Sequence, residues 1–132
     1  MTAEQEKACR VCKGSPAAEV RFIRHTGMLL AWQQASYRGS WCRDCGLATF
    51  RRLQNWNLMI GWWGIASVFL NAYAILRNLS SRGKVISLSE PSRPAGSKPL
   101  EVGRPLLARP GIWIFIVALI IIVSLIATHA GH

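Results

Sequence analysis

The chain has 132 residues, a hydrophobic share of 51% and a formal net charge of +10, with a mean hydropathy of +0.22. Its length suits one ordinary domain, but much of the apolar content lies in two blocks, and what is left over excludes a large soluble core. Twelve arginines and four lysines against six acids favour a phosphate-bearing surface, either lipid headgroups or nucleic acid.

Residues 1 to 8 read as a disordered leader. The opening "MTAEQEKACRVCKG" is polar and mixed in charge, without the apolar stretch of a secretory signal, so the head is expected in the cytoplasm. In that reducing compartment two C-x-x-C pairs point to metal ligands over disulfides. Cys9, Cys12, Cys42 and Cys45 are spaced C-x2-C-x29-C-x2-C, and each pair runs into a glycine, Gly14 and Gly46. A two-residue gap lets both sulfurs face one ion while intervening N–H groups donate to them, and a glycine afterwards lets the chain turn tightly. Four sulfurs suit tetrahedral Zn2+, with iron as the alternative ion. Such a metal supplies on the order of 10 kcal/mol that so small a core lacks. Arg10, Lys13 and Arg43 stand ready to offset the surplus thiolate charge, and Asp44 caps or balances it.

Between the pairs, Val20 and Phe22 alternate with Arg21, and Gly27 and Gly39 read as turn positions, which predicts short strands. Leu47 to Gln54 begins a helix leading into the first apolar block. The head is thus predicted over residues 9–52. Arg51 and Arg52 precede the block, where guanidinium groups reach anionic lipid headgroups at about 1 kcal/mol each.

Residues 56–76, "WNLMIGWWGIASVFLNAYAIL", carry no charged side chain and would span roughly 30 Å as a helix, the hydrocarbon thickness. Residues 111–128, "GIWIFIVALIIIVSLIAT", are more hydrophobic still. Both are predicted transmembrane helices, giving a fold class of a small β-rich zinc-ribbon-like head followed by two transmembrane α-helices. Residues 77–110 hold five of the six prolines and read as a basic, extended, Pro-rich connector. In the first span Asn57, Gly61, Gly64, Ser67, Asn71, Ala74 and Asn78 recur every three or four residues. That stripe predicts a helix-contact face, with Gly61, Gly64, Ser67 and Asn71 at its centre and a partner for Asn71 on the second span or another protomer. Trp62 and Trp63 read as interfacial anchors. The second span is apolar in nearly every direction and reads as a passive anchor.

With the head inside and two crossings, both termini are cytoplasmic and residues 77–110 face outward, although they carry seven cations. The positive-inside rule opposes that arrangement. A re-entrant first block, with only the second crossing, removes the conflict; the length of residues 56–76 favours two crossings.

The knuckles resemble those of zinc ribbons. The 29-residue gap, with Trp41 just before the second pair, is also similar to rubredoxins, which hold one iron on four cysteines for electron transfer. The likeness covers residues 9–45 and implies a membrane-tethered electron carrier, but the basic head and the lack of a proline in the second knuckle depart from the rubredoxin pattern. Taken whole, the double-knuckle head, "GWWG" and the second apolar span resemble a loose group of small, largely uncharacterised bacterial membrane proteins. That resemblance brings no known chemistry.

Three functional classes follow. The head is foremost an interaction or adaptor module for a membrane or cytoplasmic protein, in a multi-pass protein of the cell membrane that can also self-associate. A nucleic-acid binder would set Arg21, Arg24, Arg38 and Arg43 on phosphates with Phe22, Trp32, Tyr37 and Trp41 as stacking surfaces. Residues 1–55 carry nine cations against four acids, which a juxtamembrane position explains without nucleic acid. Catalysis is disfavoured, because four sulfurs close a metal to substrate. His25, the only histidine away from the C-terminus, reads as a solvated strand residue, and His129 and His132 read as tail residues.

Overall fold

The computed structural model describes residues 7–132. Residues 1–6 of the expected leader lie outside the described residues, and Lys7 pairs with Glu19 at 2.9 Å. Two strands, β1 (Ala18–Met28) and β2 (Ala31–Trp41), form an antiparallel hairpin in which Ala18 lies opposite Trp41 and Met28 opposite Ala31. The strands are longer than the sequence predicts: Gly27 and Gly39 lie within them, and the reversal is at Leu29 and Leu30. Ala18, Val20 and Phe22 are buried while Glu19 is exposed, but past Phe22 the alternation changes phase and Ile23, His25 and Gly27 are buried instead, so the two ends of β1 cover opposite faces.

Three helices follow: α1 (Arg43–Ile60), α2 (Ile65–Ile86) and α3 (Pro110–Ala130), the last preceded by a 3-10 turn at Leu106–Ala108. The predicted first span is therefore not one helix. It breaks at Gly61 to Gly64, and α1 and α2 pack against each other and against β1. Among the described residues only Pro110–Ala130 is long and apolar enough to cross a membrane, so two predicted crossings become one candidate. A side chain at Gly61 would begin 2.1 Å from Asn71 Oδ1, so only glycine admits the returning helix here. Where α1 ends, Asn57 O accepts from Gly61 N at 3.0 Å and again from Asn71 Nδ2 at 3.0 Å, while Trp63 Nε1 donates to Met59 O at 3.1 Å, as a helix terminus requires. The connector is also shorter than predicted, because α2 continues through Arg77, Arg82 and Lys84 to Ile86.

The polar stripe of residues 57–78 meets a strand edge. One edge of β1 pairs with β2, and the other runs along α1 and α2, whose side chains replace a third strand. Asn78 Oδ1 accepts from Ile23 N at 2.7 Å while its Nδ2 donates to Ile23 O at 2.8 Å. Asn57 Oδ1 accepts from His25 N at 2.8 Å and its Nδ2 donates to Ile23 O at 3.0 Å. Ser81 Oγ donates to Arg21 O at 2.6 Å. Asn57, Asn71 and Asn78 are all fully buried. An amide carries both a donor and an acceptor, so it can satisfy a buried strand edge that would otherwise hold orphaned backbone groups. The spacing that suits a membrane helix contact thus serves a helix-on-strand contact, and Asn71 finds its partner within α1 instead of on α3.

The core lies at the opposite end of the hairpin, where Val20, Phe22, Trp41, Phe50, Leu53 and Val85 surround the cysteines. Phe22 meets Trp41 edge to face, with ring centroids 5.9 Å apart. Helix α3 leaves from α1: Gly111 N donates to Asn55 Oδ1 at 2.8 Å and Phe115 stacks on Trp62 at 5.3 Å. Beyond that contact its apolar side chains are exposed, Ile126 by 63%.

Candidate metal centre

The four cysteines predicted as ligands are brought together. Cys9, Cys12, Cys42 and Cys45 are buried, and their sulfurs all lie within 4.8 Å of one another. Cys12 Sγ and Cys42 Sγ are 3.6 Å apart. Around a common ion at about 2.3 Å, tetrahedral sulfurs stand roughly 3.8 Å from each other, so the cluster lies within about 1 Å of the spacing a four-sulfur metal site needs.

Each pair is shaped by its own backbone. In the first knuckle Lys13 N donates to Cys9 O at 2.9 Å and Cys9 N to Gly14 O at 2.8 Å, folding six residues into a tight loop. Val11 N approaches Cys9 Sγ at 3.5 Å and Gly14 N approaches Cys12 Sγ at 3.4 Å. The second pair opens a helix. Cys42 is the N-cap of α1, with its sulfur accepting from Cys45 N at 3.5 Å and its carbonyl from Gly46 N at 2.9 Å. The helix begins four residues earlier than the sequence predicts, inside the knuckle, and its positive N-terminal end faces the sulfurs. Gly46 is helical rather than a turn residue: a Cβ there would fall 2.8 Å from Val85 Cγ1, so its smallness admits the end of α2.

Sequence reasoning missed the segment after α2. The chain returns across the cysteines, pairing Ser15 with Ser92 through N–H to carbonyl bonds of 3.0 and 2.8 Å. Leu100 N then donates to Cys45 Sγ at 3.4 Å. Arg93 joins Asp44 at 2.5 Å, and Arg43 is 3.5 Å from the same carboxylate. Arg10 donates to Arg38 O at 2.6 Å and lies over the Trp41 ring at 5.4 Å. Of the cations expected to offset the thiolates, Arg10 and Arg43 thus hold other partners, and Arg93 joins the site through Asp44. No spacing signal marks Arg93 or Leu100, which lie 48 and 55 residues beyond Cys45 in a proline-rich run.

The thiols share protons unequally. Hydrogen bonding from Cys42, helped by backbone N–H groups, lowers Cys9 to about 4. Cys42 is pushed upward by that same bond and by burial. Burial raises Cys45 to about 11. A divalent cation would replace thiol protons while keeping the donated N–H bonds. An ion held by all four sulfurs would keep no coordination position for another ligand.

The remaining predicted residues lie elsewhere. Ser67 and Asn71 are buried; Gly61 and Asn71 meet across the contact between α1 and α2, and a Cβ at Gly64 would lie 2.9 Å from Met28 O, so this face serves both the helix pair and the hairpin. Arg51 donates to Gly103 O at 2.9 Å. Burial, then the charges of Arg109 and Arg82, push its guanidinium downward. Arg52 lines two clefts, one with Glu101 and Arg109, the other with Arg24, Tyr37 and Trp56. His25 is fully buried with both ring nitrogens unpartnered, in contrast to the solvated histidine predicted, while His129 and His132 are exposed. Comparison with family models, known proteins and solved structures returns no match.

Proposed function

We propose that the chain is a membrane-anchored adaptor whose cytoplasmic head is stapled by one structural zinc ion on Cys9, Cys12, Cys42 and Cys45. The four mutually close, buried sulfurs carry this reading. The metal would bind knuckle, helix and returning segment into one rigid unit, as expected where the apolar core is small. Helix α3 supplies the single anchor. A single crossing places the arginine-rich head and the segment up to Arg109 on one side, and the tail after Thr128, without Lys or Arg, on the other. That arrangement agrees with the positive-inside rule, which two crossings oppose.

The head acts by binding rather than catalysis, since a closed four-sulfur site offers no metal position to a substrate. Its protein partner presents a surface to the basic head. Two measurements test this reading on the purified full chain: elemental analysis with a visible spectrum, and protease accessibility of the head in sealed vesicles. One zinc per chain and a head cleaved only from the cytoplasmic side support it. Iron with a reversible red chromophore would shift the function to electron transfer, and a head cleaved from outside would reverse the topology.

A further inference from the structure

We infer that the uncharged end of the head, formed by the β1–β2 and α1–α2 turns, is immersed in the interfacial layer of the same anionic bilayer that α3 enters. The inference rests on α3 as anchor and adds a second membrane-binding surface. Three parts of the chain meet there. A Cβ at Gly27 would lie 2.8 Å from Trp63 N and 3.0 Å from Gly61 O, so the hairpin tip sits directly on the helical turn, and Trp62 of that turn stacks on Phe115 of α3. The surface at this end is apolar: Leu30 is 100% exposed, Ile65 86%, Leu29 83% and Phe69 75%. So large a cluster on one end of a small head is the kind of patch that marks an interaction site.

The charge pattern identifies the bilayer as the occupant. Five segments run into this end, and each loses its charges just past an arginine: β1 after Arg24, α1 after Arg52, α3 after Arg109, and, traced back from the tip, β2 before Arg38 and α2 before Arg77. Residues 25–37 and 53–76 contain no Lys, Arg, Asp or Glu. An apolar end ringed by arginines matches acyl chains below a layer of anionic headgroups. Arg24, Arg52, Tyr37 and Trp56 line a cleft of about 360 Å³ at that ring, where a lipid phosphate would meet two guanidinium groups. Trp32, Trp56, Trp63 and Trp113 are all exposed, as suits side chains at the membrane interface.

The outer edge of β2 sets the depth. Gln33 and Gln34 are exposed, and the edge beside them carries backbone groups that hydrocarbon could not satisfy. The tip therefore stops at the boundary of headgroups and acyl chains, about 5–10 Å deep as for amphipathic segments lying in an interface. Phe115 lies five residues into α3, roughly 7 Å along it, so its stacking partner Trp62 falls at that depth.

Photo-crosslinking tests this on the full chain in nanodiscs of mixed phosphatidylcholine and phosphatidylglycerol. Benzoylphenylalanine is placed in turn at Leu30, Phe69, Ile120 in α3 and Glu90 beside the metal centre. Lipid adducts at Leu30 and Phe69 within roughly threefold of those at Ile120, and about tenfold above those at Glu90, are expected for interfacial immersion. Adducts at Ile120 alone would overturn the inference and leave the anchor intact. Chain-to-chain adducts at Leu30 would overturn it in favour of self-association. No adducts at Ile120 would defeat the anchor reading itself, and the tip with it.

Discussion

Replacing Asn78 with alanine isolates the amide ladder that holds β1 on the helices. Ile23 N has Asn78 Oδ1, at 2.7 Å, as its side-chain acceptor, whereas Ile23 O keeps a second donor, Asn57 Nδ2 at 3.0 Å. Gln54 Oε1 also loses the 3.2 Å bond from Asn78 Nδ2. The substitution leaves one buried backbone donor without a partner, costing about 1–3 kcal/mol. The space vacated by a fully buried side chain brings the total to roughly 2–4 kcal/mol. Since about 1.4 kcal/mol is a factor of ten, the Ile23 amide in Asn78→Ala should exchange with deuterium at least about 30-fold faster. The assay is residue-resolved hydrogen exchange on the zinc-loaded full chain in micelles. Asn57→Ala should release the His25 amide instead, because Asn57 Oδ1 is the acceptor for that N–H. Unchanged exchange at Ile23 in Asn78→Ala, or equal responses of both amides to both substitutions, would refute the ladder.

Gly46→Ala should lower the thermal midpoint by the equivalent of about 1–3 kcal/mol of overpacking, because its Cβ meets Val85 at 2.8 Å, and Val85→Ala in the same chain should recover part of that loss. Asp44→Asn should cost less than about 1 kcal/mol, since the Arg93 pair is partly solvated and such pairs contribute little; metal content should be unchanged. Burial lowers His25 below its ordinary 6.5, so the unfolded chain takes the proton first. Its contribution to stability is complete above pH 6.5 and is lost as pH falls through the folded value. Urea titrations across that range should show this acid limb flattened in His25→Gln.

The cysteine centre was legible because ligand spacing is local: a two-residue gap fixes where paired sulfurs point, whatever the intervening chain does. Residues 56–76 were harder, because uncharged length is the same for a helix that crosses a bilayer and for one that turns back at "GWWG". The stripe from Asn57 to Asn78 was visible, but helical periodicity reports only that one face is shared. Whether another helix or a strand edge fills that face depends on β1, which lies more than 30 residues earlier. The returning segment left no trace either, since Leu100 contributes only a backbone N–H to Cys45 Sγ, and any residue except proline could supply it. The sequence does not reveal the burial of His25, because the same strand pattern fits a solvated face and a covered one.

Metal content of the purified full chain addresses the central claim most directly. The four-sulfur centre predicts one tightly held zinc per colourless chain, lost together with protease resistance of the head in Cys42→Ser and in Cys45→Ser. A chain recovered without stoichiometric metal, with four freely titrating thiols and a head that resists protease equally in both variants, would contradict it.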